Sequence, residues 1–374
     1  MYYTCDVNVM SRGTSGCYFC DKSLYTFLNE NKGKYSLISA DTNKSIKSIP
    51  KDLCAKVFLY FEDIIENKDD IEIIDNIVFN KYTGECFGYL VSYNQISNNY
   101  IIDQSIGSAY IEYENILLLQ RIFGKKYSEY ILHPKKNILL LLEIKEDAPH
   151  LYEYNDKNTD FITRRRVPII LSKGCNTIEN VSRNNLNKFI NDIMPVIKIL
   201  HTKGYIHADI KYQNIVKCEN RYKIIDWGSM QNIKSVDDPI GTYIIPFFAI
   251  NKLYMKNHIP SMNISTVAEI MNISDIFNKV ESTMVFVDDK DKDNQFAFLS
   301  YKLFMAAYAN RHIDINFILK KNDEYCLAYI IYKNLIKYMD SIDLINKLNS
   351  KTNNKLLRKM YYLLSPDYLS LERI

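Results

Sequence analysis

No stretch of this sequence is apolar for long enough to cross a membrane. The longest apolar run, from Ile138 to Ile144, includes a glutamate, and a membrane-spanning helix needs about 20 apolar residues. The first ten residues have neither the basic region nor the apolar core of a secretory signal. We therefore expect a soluble, intracellular protein with no membrane span.

The chain also lacks an excess of charge of either sign. Its 47 Lys and Arg against 44 Asp and Glu leave a net charge of +3, so there is no broad basic surface and we expect no nucleic-acid partner. The eight cysteines are scattered over the chain, a distribution that predicts reduced thiols. With 374 residues, the chain is long for one compact core and predicts two lobes or several domains.

Strand patterns dominate the first half of the chain and helix patterns the second. Residues 53–60 are apolar and predict a strand, whereas 61–107 are polar and irregular in pattern and indicate an insertion or an ordered excursion. Apolar residues at helical spacing predict helices over 108–123 and 186–205. Two further strands are expected within 129–144 and 167–172, and mostly helices beyond about residue 260. Strands first and helices later predict an α+β fold of two lobes, a small β-rich one and a larger helical one.

Two short segments carry residues suited to phosphate chemistry: HADIKYQN at 207–214 and DWG at 226–228. A short hairpin between them can bring Asp209, Lys211, Asn214 and Asp226 to the same end of a small sheet. Carboxylate and amide oxygens are hard ligands that suit Mg²⁺, which retains waters and substrate phosphates as its other ligands. The remaining carboxylate can accept a proton, and the ammonium can offset charge on a transferring phosphoryl group.

This pattern, HxDxKxxN followed by DxG, resembles the catalytic and metal-binding loops of eukaryotic-type protein kinases. The resemblance implies that Asp209 is the catalytic base, that Lys211 contacts the γ-phosphate of ATP, and that Asn214 and Asp226 hold Mg²⁺. It also implies a protein substrate. A lysine two residues after the catalytic aspartate favours the serine/threonine branch of the family.

The resemblance extends to a lysine that should contact the α- and β-phosphates from a strand. Lys56, in the segment CAKV, fits this position. Its partner should be a glutamate on a helix; we place Glu114 there because Leu117 and Leu118 follow it at helical spacing, with Glu112 as the alternative.

The remaining nucleotide contacts are implied more loosely by the resemblance. The segment SRGTSGCYF matches the glycine-rich loop, in which backbone N–H groups can surround phosphates. Residues 172–180 occupy the position of the hinge that borders the adenine. The residues implied to contact the nucleotide are Ser11, Gly13, Gly16 and Tyr18 in the loop and Ser172 and Gly174 in the hinge.

The whole pattern, together with the Asn- and Ile-rich composition, is similar to divergent serine/threonine kinases of large DNA viruses. That resemblance implies residence in the host cytoplasm or the virion. It divides the chain into an N-lobe at 1–171 with an insertion near 61–107, a hinge at 172–180, and a C-lobe at 181–374.

Three positions depart from the family pattern. Ala208 replaces the arginine of HRD, which in the family binds a phosphorylated activation loop. Trp227 replaces the phenylalanine of DFG and still provides a large apolar ring, and Phe247 replaces the glutamate of the APE motif. Asp293 is the candidate for the aspartate of the helix beneath the catalytic loop. These departures keep a pseudokinase, acting as a nucleotide-binding or scaffold module, as an alternative. A small-molecule kinase of related fold is a further alternative, which Lys211 opposes.

Overall fold

The computed structural model describes residues 9–12, 16–19, 35–46 and 53–58, most of 62–144, residues 166–178 and 180–235, and residues 261–263, 312–337, 347 and 354–364. The glycine at 13, the segment 241–250 and Asp293 lie outside these residues. The chain forms two compact units. The first comprises Met1–Thr177 together with Asp226–Gly228, and the second comprises Ile178–Ile225 and Ser229–Ile374.

A seven-stranded antiparallel sheet, here called the main sheet, forms the centre of the first unit. Its strands run in the order β1-β2-β5-β12-β11-β3-β4. They span β1 Val9–Arg12, β2 Gly16–Phe19, β3 Tyr35–Ser39, β4 Ser45–Ile46, β5 Leu53–Phe58, β11 Leu139–Ile144 and β12 Arg166–Lys173. Strands β5, β11 and β12 are nearly continuous apolar segments because both faces of the sheet are covered there. Their buried side chains include Ala55, Leu140, Leu142, Ile169 and Leu171.

The segment whose polar pattern indicated an insertion or an ordered excursion forms a second antiparallel sheet, whose strands the sequence analysis did not predict. This insert sheet has the strand order β6-β10-β9-β8-β7. Its strands are β6 Glu62–Ile65, β7 Ile71–Ile74, β8 Ile77–Asn80, β9 Cys86–Asn94 and β10 Asn99–Asp103. The polar residues that suggested a loop belong to the turns, such as Asn80, whose side chain accepts the backbone N–H groups of Tyr82 and Thr83.

Helix α1, Ser105–Phe123, follows the insert sheet after a single residue. Its buried side chains include Ile106, Ala109, Glu112, Ile116 and Leu119, which recur at intervals of three and four residues along one broad stripe. The helix ends at Gly124, which has a positive φ of 50°. A short helix α2, Tyr127–Tyr130, leads to β11.

The second unit is built around helix α3, Leu186–Thr202, whose apolar stripe is buried. Pro195 lies inside this helix without ending it. Phe189 packs edge to face against Tyr222 of the neighbouring strand, with ring centroids 5.2 Å apart. The other elements of this unit are β14 Tyr205–Ile206, β15 Ile215–Cys218, β16 Arg221–Ile224, β17 Gln231–Asn232, β18 Ser261–Asn263, β19 His312–Asp314, α4 Ile315–Leu335 and α5 Lys355–Leu364. The short strand β13, Asn176–Thr177, belongs to the first unit.

The α+β fold is confirmed: sheets dominate the first unit, and long helices the described part of the second. Among the described helices, none is both long and apolar enough to cross a membrane. The prediction of reduced thiols is not supported throughout: Cys54, Cys175 and Cys218 are disulfide-bonded, whereas Cys86 and Cys326 are free.

Candidate active site

The ammonium of Lys56 lies in the interior of the first unit. Lys56 is 2 % exposed, at the centre of β5. Its Nζ atom lies 2.6 Å from Oε2 of Glu112 and 2.8 Å from Oδ1 of Asp226. On the same face of the strand, the ring of Phe58 has its centroid 4.8 Å from Nζ. Because an unpaired buried ammonium is costly, these two carboxylates allow the lysine to occupy this position.

The helical partner of Lys56 is Glu112, and the prediction of Glu114 is wrong. Glu114 is exposed, whereas Glu112 is 1 % exposed. Two residues along a helix correspond to a rotation of about 200°, so the two glutamates point to opposite sides. Glu112 is in phase with the buried residues Ala109, Ile116 and Leu119, and this phase was the signal that could have identified it.

Burial shapes the protonation of the groups around Lys56. It raises the pKa of Glu112 to about 7, an effect that the nearby Lys56 partly offsets. Burial lowers the pKa of His133 to about 4, although its Nδ1 atom lies 2.8 Å from the carbonyl oxygen of Leu171. His133 is therefore neutral at physiological pH, and its Nδ1–H is the donor to that carbonyl.

Two side chains of helix α1 that follow Glu112 form hydrogen bonds with neighbouring segments. The hydroxyl of Tyr113 donates to Oδ1 of Asp41, in the turn between β3 and β4. The other oxygen of Asp41 accepts the backbone N–H of Asn137 at 2.6 Å. Asn115 donates from its amide to the carbonyl oxygen of Trp227 at 2.8 Å. The helix therefore bonds directly to the DWG segment.

Asp226 and Trp227 belong to the first unit, although they follow a strand of the second. Asp226 has a φ of 62°, which L-residues seldom adopt, and its side chain is 24 % exposed. Trp227, the single tryptophan of the chain, is fully buried. Its indole fills the position in which the resemblance implied a large apolar ring.

The predicted residues of the 207–214 loop lie together within the second unit. Asn214 donates from Nδ2 to both the backbone oxygen and Oδ2 of Asp209, each at 2.9 Å. Nζ of Lys211 lies 2.7 Å from the same Oδ2 atom. Asp209 and Asn214 are buried, whereas the side chain of Lys211 is 21 % exposed. The loop thus fixes one carboxylate through an amide and an ammonium.

Asp323, in helix α4, forms hydrogen bonds with the backbone of this loop. The sequence analysis missed this residue. Its two carboxylate oxygens accept the backbone N–H groups of His207 at 2.8 Å and Ala208 at 2.9 Å. Nε2 of His201 lies 3.2 Å from the same carboxylate. Asp323 is fully buried, and it lies more than 100 residues along the chain from its partners, so no local pattern marks it.

The described residues that we predicted to contact the nucleotide from the glycine-rich loop and the hinge lie in or beside the strands of the main sheet. Ser11 lies in β1, and Gly16 and Tyr18 lie in β2, so that Tyr18 is in register with Lys56 on the next strand. Ser172 is buried in β12, opposite Cys54, and Gly174 follows that strand. Strands β2 and β12 are the two neighbours of β5, and β1 lies one strand further out; the contacts of these residues with a nucleotide stay a prediction.

We expect Glu112 to make the folded protein less stable as the pH rises. Its folded-state pKa of about 7 exceeds its ordinary value of 4.5, so the folded state binds the extra proton. The contribution of this proton to the free energy of unfolding is fully present below pH 4.5. It is lost as the pH rises through about 7, and the loss is on the order of 3 kcal/mol.

Urea unfolding of the full chain between pH 4.5 and 8, followed by Trp227 fluorescence, measures this loss. Glu112→Gln should abolish this component, and Glu114→Gln, the matched control, should retain it. The effect of His133 is common to all three proteins and cancels. An identical pH dependence in wild type and Glu112→Gln would contradict the assignment.

Replacing Asp323 with alanine should destabilise the second unit strongly. The change leaves two buried backbone N–H groups without their acceptor, at about 1–3 kcal/mol each. Asp192→Ala is the control, since Asp192 accepts one backbone N–H, from Tyr222 at 3.1 Å, and is partly exposed. Thermal unfolding should show the larger loss for Asp323→Ala. Equal losses would mean that Asp323 does not support the loop in this way.

Known proteins match the part of the chain that contains this loop. Residues 128–259 match the protein kinase domain family. The MAP kinase-interacting serine/threonine-protein kinase 1 of Xenopus tropicalis is 31 % identical over 129 residues, which are 33 % of this chain and 29 % of that protein. A probable serine/threonine-protein kinase of Dictyostelium discoideum is 30 % identical over 115 residues, 30 % of this chain and 20 % of that protein.

The chain spans less than a third of the length of these two relatives. The matched region nevertheless includes Asp209, Lys211, Asn214 and Asp226, which the structure places on ordered loops. The match and the relatives support membership of the protein kinase family, and the chain has the two-lobed, kinase-like α+β fold.

Proposed function

We propose that this chain is an active serine/threonine protein kinase that transfers the γ-phosphate of MgATP to a protein hydroxyl. The observation that carries the proposal is the arrangement of Lys211, Asp209 and Asn214 around one carboxylate oxygen. A carboxylate held in this way can accept a proton from an attacking hydroxyl. A scaffold module would not require these three groups together.

Asp209 is the proposed base. The bond from Asn214 fixes the orientation of its carboxylate, and the backbone N–H of Asp209 lies 3.2 Å from Nδ1 of His207. Lys211 is more exposed than either neighbour, so its ammonium can exchange Asp209 for a phosphate oxygen of the substrate. It would then offset the charge that develops during transfer.

The donor atoms of Asn214 and Asp226 suit the divalent ion that accompanies ATP. The amide nitrogen of Asn214 donates to Asp209, which leaves its carbonyl oxygen as the available ligand. Asp226 supplies a partly exposed carboxylate. Two oxygen ligands suffice for Mg²⁺, which keeps waters and phosphates in its remaining positions. When bound, the ion would neutralise phosphate charge.

Lys56 is the proposed contact for the α- and β-phosphates. Its ammonium bonds to Glu112 and Asp226, so its position is set from two directions before any ligand binds. Such preorganisation reduces the cost of ordering a long side chain during binding. Acceptor preference for serine or threonine rests on Lys211 and on the names of the two relatives.

Replacing Asp209 with asparagine should abolish phosphoryl transfer and preserve nucleotide binding. Loss of a general base typically reduces the rate by about 10²–10⁴-fold. The measurement is labelling of generic protein substrates with [γ-³²P]ATP and Mg²⁺, with Asp192→Asn as the control for removal of a charge elsewhere in the unit. Quenching of Trp227 fluorescence by ATP should be similar in all three proteins.

Other results of the labelling experiment would favour a different function or a different base. ATP-dependent thermal stabilisation of the wild type without labelling of any protein would favour a pseudokinase. Labelling of small hydroxylated metabolites but not of proteins would favour a small-molecule kinase. Transfer that persists unchanged in Asp209→Asn would reject Asp209 as the base.

The activity should not depend on phosphorylation of the chain itself. Ala208 lacks the guanidinium that would pair with an activation-loop phosphate, and its methyl group is 1 % exposed beside Ile206 and Ile233. Treatment of the purified protein with a phosphatase, followed by its removal, should leave the initial rate of substrate labelling unchanged. Loss of all activity after this treatment would refute the expectation; a mock-treated sample is the control.

A further inference from the structure

The insert sheet, residues 62–103, joins helix α1 almost without a linker. Strand β10 ends at Asp103 and the helix begins at Ser105. The backbone N–H of Ser105 donates to Oδ1 of Asp103 at 2.9 Å, and both residues are buried. The first turn of the helix is therefore bonded to the last residue of the sheet.

Two glycines bring the insert sheet into backbone contact with the start of the helix. A Cβ atom on Gly107 would lie 2.6 Å from the carbonyl oxygens of both Cys86 and Phe87, in β9. A Cβ atom on Gly88 would overlap the carbonyl oxygen of Asp103, the last residue of β10, and lie 3.1 Å from Cα of Gln104, the residue before the helix. A side chain on Gly107 would therefore force the helix and the sheet apart, and one on Gly88 would displace the junction between them.

Apolar packing completes this contact. Ile106 is fully buried against Ile77 and Cys86 of the insert sheet, and Tyr110 covers the same cluster. Ile106 and Tyr110 lie four residues apart and so share one side of the helix. Ala109 and Glu112, which are also buried, lie on a neighbouring stripe. One side of helix α1 therefore packs on the insert sheet while another carries the carboxylate that binds Lys56.

The distance between these two contacts is short. Gly107 and Glu112 are five residues apart, which is about 7.5 Å along a helix axis. A helix is stiff over this length, so anchoring at Gly107 also restricts the position of Glu112. The ammonium of Lys56 offsets the desolvation of this buried carboxylate, so a small shift of the helix would leave the carboxylate poorly paired.

We propose that the insert sheet is a built-in clamp, which holds helix α1 where Glu112 pairs with Lys56, so that the pair forms without a partner protein. The functional consequence rests on the proposed function, because the Lys56–Glu112 pair affects activity only if Lys56 binds the nucleotide. The clamp itself can be tested without any activity.

Gly107→Ala is the decisive variant, because two effects predict opposite signs. Helix propensity alone favours alanine over glycine, so a free helix would become more ordered. The clamp predicts the reverse, since the added Cβ forces the helix away from Cys86 and Phe87. Ser108→Ala, at the exposed neighbouring position, is the matched control and should behave like wild type.

Hydrogen–deuterium exchange of the full chain, without nucleotide, measures the outcome. In Gly107→Ala, peptides from helix α1 should exchange roughly tenfold faster, and acetylation of Lys56 by acetic anhydride should increase. Peptides from α3 should be unchanged. Unchanged or slower exchange of α1 in Gly107→Ala would overturn the clamp.

A second variant keeps the test decisive if Gly107→Ala does not fold, which faster exchange of α3 would reveal. Ile77→Ala trims the insert sheet and touches neither Lys56 nor Glu112. It should also speed exchange of α1 and expose Lys56; a variant with faster exchange confined to the insert sheet would overturn the proposal.

ATP titrations, followed by Trp227 fluorescence, separate this proposal from the proposed function. If helix α1 exchanges faster and ATP binds more weakly in both Gly107→Ala and Ile77→Ala, the clamp and the kinase function are both supported. Faster exchange in a chain whose wild type binds no nucleotide would support the clamp and reject the kinase. Normal exchange with normal ATP binding in both variants would reject the clamp alone.

Discussion

The buried ammonium of Lys56 is the constraint on which the first unit depends. A charge 2 % exposed in the middle of a sheet is tolerated only with anionic partners, and the chain supplies one from helix α1 and one from the DWG segment. Each partner has its own cost. Burial raises the pKa of Glu112 to about 7, and Asp226 has a left-handed backbone. The three charged groups are therefore stable only as a set, and every element that carries one of them must be held in place.

The elements that hold helix α1 show how that requirement is met. Asp41 receives the hydroxyl of Tyr113, and Asn115 binds the backbone of Trp227. At its first turn the helix meets the insert sheet through Gly107, where the backbones are too close for a side chain. These contacts come from three separate segments of the first unit, so that no single bond determines the rotation of the helix. A buried ion pair gains little net stability, and here its geometry is imposed by the hydrogen bonds and the packing around it.

The parts of the site that could be predicted from the sequence are those whose residues are close in the chain. Asp209, Lys211 and Asn214 lie within six residues, and their mutual bonds follow from one loop. Lys56 was identifiable because a lysine in an apolar strand needs a specific reason. Glu112 was confused with Glu114 because Leu117 and Leu118 were assigned to the buried side of the helix, whereas Ile116 and Leu119, in phase with Glu112, form it. Asp323 and the insert sheet were missed for related reasons: the partners of Asp323 are distant in sequence, and the polar turns of the insert hid the short strands between them.

Each unit has, at the candidate site, a residue with a left-handed backbone that a buried charge holds in place. Ala208 has a φ of 65° and Asp226 a φ of 62°, and a left-handed conformation costs an L-residue about 1–2 kcal/mol. Such strain persists only where the surroundings over-determine it. In the second unit, Asp323 accepts the N–H groups of His207 and Ala208 and so fixes the two peptides that lead into Ala208. In the first, Lys56 binds the side chain of Asp226 itself. A buried charge thus offsets the cost of the left-handed backbone in both cases: the carboxylate of Asp323 through the backbone of Ala208, and the ammonium of Lys56 through the side chain of Asp226.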